Sequence, residues 1–189
     1  MRAFLALPLP PSDAEVIAAM GDRCPVGRAV AEENIHLTLA FLGDMSKADL
    51  SEIHDAMGTI KQQAFSFSLS GIESLGGHGG HALALGADGG AALTQLHDSI
   101  LSRIHGAGVV LERRRFRPHV TFARLPGKMN SDEQARLGEF LKREGTMSLP
   151  DIPATQFTLY ESVLTKTGAY YIPLEDYELQ SENTPYPAT

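Results

Sequence analysis

Two periods alternate along this chain. Runs in which apolar and polar residues alternate read as strands, and apolar residues recurring every three or four positions read as helices. The apolar run Ala3-Phe4-Leu5-Ala6-Leu7, halted by Pro8, is the first expected strand. Val16, Ile17, Ala19 and Met20 then form a stripe, and Ser12 with Glu15 has capping-box spacing, so a helix is predicted over 12–22, ended by the stretch Gly21 to Gly27. Ile35 to Leu42 reads as a strand closed by Gly43. Ser46 and Asp49 start a second helix, whose Leu50, Ile53, Met57 and Ile60 carry it to about Gln63. Phe65-Ser66-Phe67-Ser68-Leu69 and His81 to Leu85 predict a hairpin turning through Gly76 to Gly80. A third helix is expected from Ala91 to His105, leading through Gly106 and Gly108 to a short strand at Val109-Val110-Leu111.

The second half repeats the order of the first. His119 to Ala123 is a strand, Ser131 with Gln134 opens a helix bearing Leu137, Phe140 and Leu141, and a hairpin follows over 156–164 and 169–179. Phe67-Ser68-Leu69 and Phe157-Thr158-Leu159 stand 90 residues apart, close to the 83 residues between His36 and His119. Two copies are too few for a solenoid. The order therefore implies two pseudo-symmetric lobes facing one another across a groove. The stretch 181–189, with two prolines and no periodicity, is expected to be a loose tail.

Within these strands one tetrapeptide recurs: His36-Leu37-Thr38-Leu39 and His119-Val120-Thr121-Phe122. Residues i and i+2 of a strand share a face, about 7 Å apart. Each histidine is thus expected beside its threonine, with Leu37, Leu39, Phe41, Val120 and Phe122 turned to a core. Ala40 and Ala123 continue the polar row and leave room for a ligand. The same parity puts Arg124 on the face opposite His119.

Two imidazoles and two hydroxyls across a groove make an acid, a base and two clamps. One histidine can activate water while the other protonates a leaving oxygen. Phosphorus esters suit the set, because in-line displacement puts entering and leaving oxygens on opposite sides of phosphorus. Zinc hydrolysis would need about three converging ligands. The sequence has no His-x-x-x-His helix motif, no cysteine pair and no dense aspartate cluster, so neither a metal nor another cofactor is expected.

Composition narrows the partners. A net charge of −7 argues against a protein that coats nucleic acid through its phosphates. The one cysteine, Cys24, excludes an internal disulfide and suits a reducing compartment, the cytoplasm. The N-terminal apolar run is too short for a signal-peptide core or a membrane span, so no membrane partner is expected. Nothing demands a second subunit, and a monomer is the expectation. Arg113-Arg114-Arg115-Phe116-Arg117 is the dense basic patch of the chain and runs into the second motif. It reads equally as a guide for an RNA 3′ end, with Arg115 and Arg117 as candidate contacts, or as a solvated strand edge. His54, His97 and His105 fall on helices, and His78 and His81 flank a glycine-rich turn that lacks the Lys-Ser/Thr of a phosphate loop. Tyr160, Tyr170 and Tyr171 could stack on a base of single-stranded RNA, but most strand tyrosines simply pack, so they are left outside the candidate site.

With these residues in view, the sequence resembles the two-histidine (2H) phosphoesterase superfamily, most closely the RNA 2′,3′-cyclic phosphodiesterases first described as 2′-5′ RNA ligases. The likeness runs through Arg2 to Pro8, Asn34 to Gly43, Phe116 to Arg124 and Phe157 to Ser162. It implies a single bilobal α+β domain over residues 1–180, with two antiparallel sheets lining a central groove and helices outside. It also implies His36 as general acid, His119 as general base, Thr38 and Thr121 holding the phosphate, and Arg124 as a phosphate contact. The implied substrate is an RNA 3′ end or nucleotide carrying a 2′,3′-cyclic phosphate, opened to a 2′-phosphate. A non-catalytic RNA-end-binding module and weak 2′-5′ ligation are the alternatives.

Overall fold

The computed structural model describes residues 1–77, 80–112, 115–165 and 168–181. Arg113, Arg114 and His78 lie outside these residues, as does the expected tail beyond Ser181. The strands among the described residues are β1 (Arg2–Pro8), β2 (Arg28–Ala29), β3 (His36–Asp44), β4 (Phe65–Gly77), β5 (Gly80–Asp88), β6 (His119–Leu125), β7 (Ser148–Ala154), β8 (Gln156–Thr165) and β9 (Gly168–Glu178). The helices are α1 (Pro11–Asp22), α2 (Lys47–Met57), α3 (Gly90–Gly106) and α4 (Ser131–Glu144). None is long and apolar enough to cross a membrane.

Most elements follow the predicted order, and the departures have local causes. Helix α1 starts one residue early without the Ser12 cap, because Pro11 at its first turn has φ pre-set and no N–H to satisfy. Helix α2 has the predicted Ser46–Asp49 capping box but ends at Met57 on Gly58, not near Gln63. In α4 the box is Asn130 with Glu133, one residue ahead of the expected pair. Residues 109–111 form no strand, and Val110 is exposed. Strand β7 escapes the sequence pattern because Pro150 and Pro153 disguise it. Prolines of this kind are tolerated on an edge strand, which is where β7 lies.

The strands form one hydrogen-bonded antiparallel path, β7-β4-β5-β6-β3-β1-β8-β9, with β2 added to β6. Its two halves, β3-β1-β8-β9 and β6-β5-β4-β7, meet through the single register pair Leu37↔Val120. The repeated order is therefore interleaved. The β4–β5 hairpin that follows the first motif flanks the second motif strand, and the β8–β9 hairpin that follows the second reaches the first through β1. The helices cover the face that carries Leu37, Leu39, Val120 and Phe122, where Ile17, Met20, Ile53, Ile100, Ile104 and Phe140 complete the core. His36, Thr38, His119 and Thr121 are left on the other face, half-buried.

The segment between α1 and β2 docks on β6 through glycine. Gly27 has φ +89°, and a Cβ there would run into the Arg124 carbonyl oxygen. Gly27→Ala combines a strained backbone with a forced shift of β6, and is expected to lower stability by about 2 kcal/mol in urea unfolding. An unchanged midpoint would show that this segment does not fix Arg124.

Candidate active site

The two motif strands share one burial pattern. Counting from each histidine, positions one, three, four and six are buried and position five is exposed. The cause is a bulge at the same place in each. The register against β1 slips between Thr38 and Ala40, and that against β5 between Thr121 and Ala123. An extra residue in a strand reverses the facing of everything beyond it. Ala40 and Ala123 consequently turn into the core, at 6% and 0% exposure, instead of flooring the groove. Phe41, expected inside, is 65% exposed. Arg124, expected opposite His119, moves to the histidine face, where its charge acts on His36. The groove face of one strand is thus His36, Thr38, Phe41, and that of the other His119, Thr121, Arg124.

Continuing the Leu37↔Val120 register sets His36 across from Thr121 and Thr38 across from His119. The two histidines stand near enough for the charge of His119 to act on His36.

Each imidazole is held by the carbonyl two residues before it. His36 Nδ1 lies 2.8 Å from the Asn34 oxygen and His119 Nδ1 2.6 Å from the Arg117 oxygen. A carbonyl only accepts, so both Nδ1 atoms carry hydrogen and both Nε2 atoms are left for chemistry. The Thr38 hydroxyl donates to His36 Nε2 across 3.0 Å. His36 is pushed down from its usual value to about 4, mainly by burial and further by the charges of Arg124 and His119, against the opposing pull of the Asn34 carbonyl. This favours the neutral imidazole at pH 7.

The flanking strands expose an asymmetry. Pro8 and Gly86 lie beside the two histidines, Ala6 and Ala84 beside the two threonines, and Phe4 and Ala82 beside Phe41 and Arg124. One strand further out stand Tyr160 and Leu75. His36 therefore has an aromatic wall. Phe4 lies 4.9 Å from its ring, Phe4 and Tyr160 stack at 5.1 Å, and Tyr171 meets His36 edge-on at 5.2 Å. His119 is flanked by the small residues Gly86 and Ala84 instead.

Of the sequence candidates, His36, Thr38, His119, Thr121 and Arg124 come together. Arg117 makes an ion pair with Glu73 at 2.7 Å, and Arg115 is exposed. The aromatic wall is missing from the sequence reading. On sequence alone Tyr160 and Tyr171 are open to base stacking but weigh as packing residues, and only recognition of the bulge would bring Phe41 out of the core. No group of three or more His, Cys, Asp or Glu among the described residues is placed to hold a metal ion. An open cavity of about 590 Å³ between α4 and β4–β6 contains none of the motif residues.

A curled antiparallel sheet bearing two such motifs defines a class, and known proteins agree with it. The chain belongs to the 2′-5′ RNA ligase superfamily, whose model matches residues 10–155. It is 28% identical to the RNA 2′,3′-cyclic phosphodiesterase of Aeropyrum pernix, over 83% of this chain and 88% of that one. With the proteins of the same name from Thermotoga maritima and Escherichia coli the identities are 29% and 28%, covering 96% and 94% of this chain and 96% of each relative. Among solved structures, Escherichia coli LigT in apo form has TM-score 0.70 at 27% identity, covering 94% of this chain and 96% of its own. The Thermus thermophilus protein TT0787 shares the fold with TM-score 0.74 at 22% identity, covering 97% of this chain and 100% of its own.

Proposed function

We propose that this protein hydrolyses the terminal 2′,3′-cyclic phosphate of RNA to a 2′-phosphomonoester, without a metal ion. The observation that carries the reading is the pair of imidazoles held Nδ1–H with both Nε2 atoms toward one groove between unequal walls. The names of the relatives support the substrate class, as does the solved complex of LigT with 3′-AMP at 27% identity.

The walls suggest the roles. The leaving oxygen belongs to the ribose, and the ribose carries the base, so the bulky aromatic side is the nucleoside side. His36 then protonates O3′ as the P–O3′ bond breaks, and His119 takes a proton from the water that attacks phosphorus from the small-residue side. Thr38 and Thr121 donate to the non-bridging oxygens, and Arg124 balances their charge. The proton gained by His119 and that lost by His36 re-equilibrate through solvent after product leaves. This is the acid and base assignment that the family likeness implied, reached here from the surroundings of each ring. The lone cysteine fits a reducing cytoplasm, and the two halves act together as one domain over 1–180.

Phosphorus NMR of an oligonucleotide ending in a 2′,3′-cyclic phosphate tests the reading. A 2′-monoester is expected. A bound but unaltered cyclic end would indicate a binding module, and a new 2′-5′ diester formed with added 5′-hydroxyl RNA would indicate a ligase.

The pH dependence has a definite sign. The limb that His36 contributes to kcat/KM, which reports the free enzyme, should lie near pH 4. A bound phosphodiester adds negative charge beside the ring and favours imidazolium. The same limb should therefore move to higher pH in kcat. Coincident limbs in the two profiles would mean that the substrate anion does not load His36.

A further inference from the structure

The residues two before each motif histidine do more than lend a carbonyl. Asn34, ending a 3-10 turn at Glu32–Asn34, donates from Nδ2 to the Ala169 carbonyl at 3.0 Å, on the β8–β9 hairpin. Ala169 is two residues from Tyr171, whose ring meets His36. Among the described residues the buried Asn34 Oδ1 has no hydrogen-bond partner, so the orientation of the amide rests on the Nδ2 bond. Turning the amide over would set oxygen against the Ala169 oxygen. In the other half Arg117 occupies the matching position, and its guanidinium donates to Glu73 Oε2 at 2.7 Å, on the β4–β5 hairpin. Gly86, beside His119, leaves space for this link, since a Cβ there would come within 3.3 Å of Glu73 Oε1.

The two halves solve one problem with different chemistry. A backbone carbonyl in the approach to a strand is a movable acceptor, and it fixes an imidazole only if its own residue is fixed. In each half the side chain of the carbonyl's residue is tied to the hairpin packed alongside, by an amide in one and an ion pair in the other.

We propose that Asn34 and Arg117 are positioning residues that hold His36 and His119 in the Nδ1–H state, by anchoring the carbonyls that accept from them to the flanking hairpins. The inference rests on the two-histidine reading above. It gives Arg117 a different task from guiding RNA, and it adds Glu73 to the machinery.

Nitrogen-15 spectra of the imidazoles in the ligand-free protein test the positioning directly. Wild type should show Nδ1–H for both His36 and His119. Asn34→Ala should give a mixture of neutral tautomers at His36 alone, and Arg117→Met or Glu73→Gln at His119 alone. Unchanged tautomers in all three variants would overturn the proposal. Because these spectra need no turnover, they separate its failure from failure of the two-histidine reading, which His36→Ala and His119→Ala activities decide. In kinetics, Arg117→Met and Glu73→Gln should each lower kcat on the order of 10-fold, since small misplacements of a reacting group are expensive in rate. KM should change little, the double variant should be no worse than either single one, and Arg117→Lys should recover most of the rate. A direct RNA contact by Arg117 would instead raise KM, leave Glu73→Gln active and make the two changes additive, and that result would contradict the proposal.

Discussion

His119→Ala and His36→Ala are each expected to slow opening of a terminal 2′,3′-cyclic phosphate by about 10²–10⁴-fold, the usual contribution of one positioned acid or base. The loss should lie in kcat, because in the proposed mechanism both Nε2 atoms act on protons that move only as phosphorus is displaced. The fold should survive, since each ring is half-buried on the groove face, outside the core that carries Leu37 and Val120. The two defects should differ in character. A diester whose leaving group is nitrophenolate needs no proton to depart, so His36→Ala should regain most of its rate on that substrate. His119→Ala should not, because water must still lose a proton. Rates of both variants on the cyclic end and on the nitrophenyl diester check this. Rescue of His119→Ala rather than His36→Ala would exchange the roles of the two histidines.

Arg124→Ala should reduce kcat/KM by about 10²–10³-fold, the range seen when one preorganised donor to developing charge is removed. Two effects combine. The phosphate loses a guanidinium that stands on the same face as His119 and Thr121, and His36 loses a neighbouring positive charge. Since that charge lowers the His36 pKa, removing it must raise the pKa above about 4 in the free protein. Nitrogen-15 titration of the imidazole reads this independently of activity. Arg124→Lys should retain the electrostatic effect on His36 while losing the forked geometry that suits a phosphate. An unshifted His36 in Arg124→Ala would place the guanidinium away from the groove.

Much of this was legible in the sequence because periodicity and short motifs are local. The repeated His-x-Thr strands, the Ser46–Asp49 cap and both hairpins could be read from residues near one another. What failed was parity beyond a bulge. A single extra residue after Thr38 and after Thr121 reversed Phe41, Ala40, Ala123 and Arg124 together, and nothing in the alternation Leu39-Ala40-Phe41 signals it. The interleaving of the hairpins was equally hidden, because the partner of a strand is a long-range choice made by packing. The aromatic wall depends on both. Phe4, Tyr160 and Tyr171 come from β1, β8 and β9, and only the assembled sheet brings them to His36. The Glu73–Arg117 pair spans 44 residues, beyond the reach of any local pattern, and composition alone left Arg117 between an RNA contact and a solvated strand edge.

The central claim is that two imidazoles, and no metal ion, open the cyclic phosphate. The most direct measurement is turnover of an oligonucleotide with a 2′,3′-cyclic phosphate end in excess EDTA, for wild type, His36→Ala and His119→Ala, with circular dichroism confirming that each is folded. Wild type is expected to keep its full rate, with both variants slower by about 100-fold or more. Loss of wild-type activity in EDTA, or a wild-type rate in either folded variant, would contradict it.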